Sequence, residues 1–332
     1  MTSHRERLEA CLRGQKPDRP PVALWRHFPV DDQKAETLAE AHLAFQEQYD
    51  FDLVKVTPAS SFSVRDWGVE DDWQENTEGT RTYTRRAIAD PADWEALSVL
   101  DPDAPYLSQQ LECLLRIRTR LSATTPVLQT VFNPLAQAKH LAGEEILLQH
   151  LRHFPDQLRR GLATIAESTR LFVRAARDLG IDGIFYAVQH AQSELLSQEE
   201  FQRFSSQDDL AILDSASGLW CNMLHLHGRN VHIQAVNDYP AQILNWHDRE
   251  SSPSLADARR LWPGILCGGI SRNSLVRGTD ADVLAEANEA LSSLELGDLI
   301  LSTGCVVPII APHGNIRAAR QSVESWAPAK SR

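Results

Sequence analysis

Several absences narrow the reading before any motif is considered. The chain has no C-x-x-C pair, and its five cysteines (11, 113, 221, 267 and 305) are odd in number. That pattern excludes a disulfide framework and a zinc ribbon. No apolar run approaches the ~18 residues of a membrane helix. Met1 to Gly14 is rich in charge (His4, Arg5, Glu6, Arg7, Glu9, Arg13) and lacks the apolar core of a secretory signal. Positive charge is also scarce: the net charge is −12 and no Lys/Arg block occurs, which argues against nucleic acid as a partner. The expectation is a soluble, cytoplasmic protein with no membrane or nucleic-acid partner. Three catalytic signatures are missing too: the G-x-S-x-G elbow, the P-loop and H-E-x-x-H.

What is present is a regular alternation. Short apolar runs are spaced by amphipathic stretches. Strands are predicted at 22–25, 53–56, 127–131, 183–186, 222–225, 243–246, 265–267 and 299–302. Helices are predicted at 5–13, 34–49, 107–121, 135–150, 155–179, 198–217, 255–261, 280–294 and 315–326. Eight strands alternating with helices imply a parallel sheet, and the count and length favour an α/β fold of the (β/α)8 TIM-barrel type. A doubly wound sheet is the alternative, but the Gly-rich phosphate turn that accompanies it is absent. Residues 62–98, rich in Trp, Asp and Thr, break the rhythm and read as an insertion after the second strand. Thr80 to Thr84 alternates like an exposed hairpin arm. The expected organisation is thus one barrel domain over 1–332, with an N-terminal helical extension.

A parallel barrel carries its chemistry at the carboxyl ends of its strands. Two of those ends hold metal-capable side chains. His225 and His227 stand two apart, on one face if the fifth strand persists, and Cys305 follows the eighth. Two imidazoles and a thiolate suit Zn2+ better than Mg2+ or Ca2+, and three protein ligands leave a fourth position open. The alternative is ordinary: hydrogen-bonded structural histidines and a packing thiol. Other strand ends are polar as well. Arg26, His190 and His247 are candidates for orienting the substrate. Lys55, Asn133, Gln189, Asp248, Gly268 and Gly269 are candidates for touching it, although Asn133 and Asp248 are also good helix-cap types.

The segment Arg19-Pro20-Pro21-Val22-Ala23-Leu24-Trp25-Arg26 resembles the N-terminal strand of the uroporphyrinogen decarboxylase superfamily. Gly304-Cys305, the prolines at 308 and 312, and Asn315-Ile316-Arg317 resemble its C-terminal signature. Leu224-His225-Leu226-His227-Gly228 resembles the His-x-Cys-Gly of its methyltransferase branch. The resemblance implies a (β/α)8 barrel and one of two chemistries. The decarboxylases act without cofactor on a macrocycle bearing many carboxylates, and carry Arg-Gln-Ala-Gly-Arg after the first strand and an Asp after the second. Here the corresponding stretches are Arg26-His27-Phe28-Pro29-Val30 and Thr57-Pro58. The methyltransferases bind zinc through His-x-Cys and a distant Cys, and pass a methyl group from a corrinoid to a thiol. The matching positions are His225, His227 and Cys305, with His in place of the middle Cys.

The leading expectation is therefore a zinc-dependent methyltransferase-like enzyme with a small-molecule substrate, a corrinoid on a separate protein partner, and pairing into homodimers. The rivals are a carboxy-lyase anchoring its substrate on Arg26, and a non-catalytic barrel that binds a tetrapyrrole or corrinoid.

Overall fold

The computed structural model describes residues 2–326. Nine strands follow in order: β1 Val54–Val56, β2 Glu70–Asp72, β3 Thr82–Arg85, β4 Val127–Phe132, β5 Gly183–Val188, β6 Met223–Leu226, β7 Ile243–Trp246, β8 Ile265–Ile270 and β9 Leu299–Thr303. Seven of them form one parallel sheet in the order β1-β4-β5-β6-β7-β8-β9. Every residue of those seven strands is buried. This is why they read as continuous apolar runs and not as alternating ones: helices cover one face and the barrel interior the other.

The eighth stave is reduced. Residues 22–25 were expected as a full strand, but only Val22 makes a bridge, parallel to Leu301. The Ala23 amide donates to Leu301 O at 3.0 Å, the Leu301 amide to Pro21 O at 2.8 Å, and on the other side the Asp52 amide to Val22 O at 2.9 Å. Pro20 and Pro21 have no amide hydrogen, so the ladder cannot extend backwards from Val22. The extended segment nevertheless spans the gap between β9 and the start of β1, and the sheet curls into a TIM-barrel-like fold.

Most predicted helices appear, with changes that have local causes. The stretch 135–150 is split into Pro134–Ala142 and Glu144–His153, because Gly143 takes φ +90° between them. The stretch 198–217 contains a π-helical turn over Gln202–Ser206. A helix at Arg272–Arg277 was not anticipated; the Ser271 side chain accepts from the amides of Asn273 and Ser274 and so caps it. Among the described residues no helix is long and apolar enough to cross a membrane.

The insertion pairs β2 with β3 in an antiparallel hairpin. Its connecting turn folds back over the barrel mouth: the Thr77 carbonyl accepts from the Ile309 amide at 2.8 Å. Gly79, at φ +75°, lies so close that an added Cβ would come within 2.8 Å of the His27 Cβ. A side chain there would lift the turn off the mouth.

Candidate metal centre and adjoining cavity

Three strand ends converge. The His227 amide donates to Val188 O at 2.9 Å, which continues the β5–β6 pairing past Leu226 and keeps His225 and His227 on one face. Asn245 on β7 and His247, just past its end, are likewise two apart. Beyond β9, Gly304 sits against the backbone of Trp246 and His247, where an added Cβ would approach the His247 Cα at 2.7 Å. Only glycine lets the following residue, Cys305, lie this close to β7.

The outcome is a cluster of four candidate ligands: one donor atom each from His225, His227, His247 and Cys305, all within 4.8 Å of one another. His227 Nδ1 is 3.3 Å from His247 Nε2 and 3.9 Å from Cys305 Sγ. His247, expected among the substrate contacts, stands with the candidate ligands because it is on the same face of its strand as Asn245.

Second contacts fix the ring states. The Asn245 amide nitrogen donates to Cys267 O at 2.9 Å and Thr303 O at 3.0 Å, so its oxygen must accept. That oxygen lies 2.6 Å from His225 Nδ1, which therefore carries the proton and leaves Nε2 as a lone pair. His247 Nδ1 faces Glu250 Oε2 at 3.2 Å. Arg272 grips that same carboxylate with two bonds of 2.7 and 2.8 Å, and reaches Glu78 of the hairpin turn at 2.8 Å. A chain of charge thus runs from the cluster to the covering loop.

The electrostatics single out one cysteine. Burial pushes the thiols of Cys11 and Cys113 up to about 12, and those of Cys221 and Cys267 up as well. At Cys305 burial acts in the same direction, but its contacts with the imidazoles of His225, His227 and His247 outweigh it and hold the thiol well below its usual range. Burial also opposes charge on His247, yet its contacts with Cys305 and Glu250 raise it to about 9. His225 is lowered to about 4, chiefly by burial. Arg272 and His247 hold Glu250 down at about 2. Three imidazole nitrogens and one thiolate form a borderline-soft donor set, which fits zinc and does not fit the oxygen-seeking cations.

Beside the cluster lies a cavity of about 100 Å³. Rings of Trp25, Phe132 and Phe185 wall it; Lys55, Thr57, Ser60, Thr130 and Gln189 add polar groups; Glu78 and Thr80 of the hairpin roof it. Lys55 is only 5% exposed. Its Nζ lies 4.4 Å from the Phe185 ring centroid, and burial pulls its pKa down to about 7.

The other anticipated contacts point elsewhere. Arg26 packs over the Phe28 ring, in a smaller cavity with His42, Phe45 and Gln46, while its neighbour His27 lines the main one. Asn133 caps the helix Pro134–Ala142 through Ala136 N and donates to Ser205 and Asp209. His190 is bonded to Glu144 at 3.0 Å. Asp248 accepts from the Gly269 amide at 3.0 Å. Gly268 and Gly269 are bare because Asp248 and the Ala290 methyl crowd them, at 2.5 and 2.6 Å from where a Cβ would stand, and not because a ligand approaches. Lys55 and Gln189 do line the cavity. Asn245, Glu250 and Arg272 escaped the sequence reading. Asn245 had a usable signal: it lies on β7 two residues before His247 at the strand's end.

Comparison with known proteins follows this geometry. The uroporphyrinogen decarboxylase (URO-D) family model matches residues 3–326. No curated protein sequence matches the chain. Among solved structures, a methyltransferase from Methanosarcina mazei superposes with a TM-score of 0.86 at 21% identity, covering 98% of this chain and 99% of that one. A B12-independent methionine synthase from Shewanella sp. W3-18-1 superposes with a TM-score of 0.58 at 14% identity, covering 93% and 94%. At these identities the two structures speak to the fold. With the family model spanning nearly every residue, the chain belongs to the uroporphyrinogen decarboxylase family.

Proposed function

We propose that this chain is a zinc-dependent, methyltransferase-like enzyme. The observation that carries the reading is the meeting of His225, His227, His247 and Cys305 at one point of the barrel mouth. His225, His227 and Cys305 would hold the ion, with His247 beside the position they leave open. Zinc bound there supplies Lewis acidity, able to keep a thiol in its thiolate form or to acidify a water.

The chain's own residues do the remainder. Asn245 keeps a lone pair on His225 Nε2. Glu250, steadied by Arg272, fixes the orientation of His247. The hairpin turn and the aromatic walls surround the cavity, and burial lowers the dielectric around the charges inside. In this reading the methyl group comes from a methylated corrinoid on a separate protein, the donor that the sequence resemblance implies. Decarboxylation of a macrocycle is less well supported, since Arg26, its expected carboxylate anchor, faces away from the main cavity.

Metal content of the purified protein tests the proposal, together with transfer of a methyl group from methylcobalamin to a thiol. The expected result is about one zinc per chain, lost in Cys305→Ala with the activity. A parent protein without stoichiometric metal would remove the mechanism.

A further inference from the structure

Lys55 is a buried cation in the cavity that the metal centre does not explain. Its ammonium has three N–H bonds. One reaches Thr57 Oγ1 at 3.4 Å, and among the described residues the other two find no acceptor. No carboxylate lies within ion-pair distance. The Cys305 thiolate acts on it through space, but contacts with three imidazoles already hold that charge. The faces of Phe185 and Trp25 stand 4.4 and 5.9 Å from Nζ, and they favour a cation but do not neutralise it.

A buried ammonium without an anion is costly, and at several other buried charges this fold supplies ion-pair partners. Buried Asp52 meets Arg7, Arg19 and His4; buried Asp182 meets Arg5 and Arg118; Arg81 meets Asp32. Lys55 departs from that pattern at the point where it faces open space. The space is limited, a cavity of about 100 Å³.

We propose that Lys55 is an anion subsite and selects a small carboxylic acid, whose carboxylate lies on Nζ while its short apolar remainder lies against the wall that the rings of Trp25, Phe132 and Phe185 form, toward His225 and Cys305. The inference deepens the proposed function, since it names the substrate class for the same site. It depends on that reading only for what happens after binding.

Calorimetric titration with propanoate and its neutral isostere propanamide tests it, on metal-free and zinc-loaded protein. The parent is expected to bind propanoate at least tenfold more tightly than propanamide in both forms. In K55M the ratio falls to within about threefold, and K55Q, which keeps hydrogen bonding without charge, behaves alike. Three results would overturn the proposal: no measurable propanoate binding by the parent, equal affinity for the two probes, or a preference that survives K55M. A preference that survives K55M and vanishes on zinc removal would place the carboxylate on the metal instead. Failure of the metal reading is separate. It would show as absent zinc stoichiometry, with the propanoate preference of the metal-free protein intact.

Discussion

Asp52 and Lys55 stand three residues apart on the same buried stretch, and they are treated in opposite ways. Asp52, at the entrance to β1, accepts from Arg7 at 2.6 Å, from Arg19 at 2.7 and 3.1 Å, from His4 at 2.9 Å and from the Val22 amide at 2.8 Å. Lys55, one turn of the pleat further on, has a single long contact with a hydroxyl. The first carboxylate ties the N-terminal helix and the reduced eighth stave to the bottom of the barrel. The second charge sits on the side of the mouth and is left open. The contrast teaches that burial alone does not tell structure from function in this fold; the completeness of the partners does. Groups at the bottom close the barrel, and groups at the top wait for something the chain does not contain.

Substitutions can break the comparison at either end. The largest effect is expected at the bottom. Asp52→Asn takes the shared buried anion from two mostly buried guanidinium groups, leaving them Asp18 and Glu324, and should cost about 3 kcal/mol in denaturant unfolding. Its partners also hold the Asp52 carboxyl well below its usual range, against the opposing effect of burial. A depressed folded-state pKa gives stability that is complete above the unfolded value of about 4 and is lost as pH falls toward the folded value. The parent should therefore lose stability steeply below about pH 4, and Asp52→Asn should flatten that slope. Equal slopes in parent and variant would show that the bottom cluster does not behave as a charge network.

At the metal centre the effect is intermediate. Asn245→Ala removes the acceptor that sets the His225 proton, and should lower zinc affinity 10–100-fold in a chelator competition while the fold persists. Lys55→Met runs the other way. Because Lys55 is buried without an anion, its replacement by an apolar side chain of similar length should stabilise the protein by roughly 0.5–2 kcal/mol. A destabilised Lys55→Met would mean that the amine has a structural partner after all. The smallest change is expected at the roof. The Glu78–Arg272 pair joins a half-exposed carboxylate to Arg272, so Glu78→Gln should shift stability by only about 0.2–1 kcal/mol, an effect that shrinks in high salt.

Much of this architecture was legible in the chain because parallel strands buried on both faces leave runs such as Val127–Phe132 and Gly183–Val188 that nothing else explains. His225, His227 and Cys305 were legible for a related reason: each follows such a run, and a barrel gathers those ends. What escaped depends on contacts between distant segments. That Asn245 orients His225 is a cross-strand relation invisible in either local sequence. The partnership of Arg272 with Glu78 joins residues 194 positions apart. His247 was recognised as a strand end but not as a neighbour of the other imidazoles, since the approach of β7 to the Cys305 loop rests on the missing side chain of Gly304. Gly268 and Gly269 illustrate the reverse error. Their bareness looked like room for a ligand and is filled by Asp248 and Ala290.

X-ray absorption at the zinc edge of the purified protein tests the central claim most directly. The account predicts a mixed shell, with imidazole nitrogens at about 2.0–2.1 Å and one sulfur at about 2.3 Å that disappears in Cys305→Ala. A shell of oxygen and nitrogen alone, unchanged by that substitution, would contradict it.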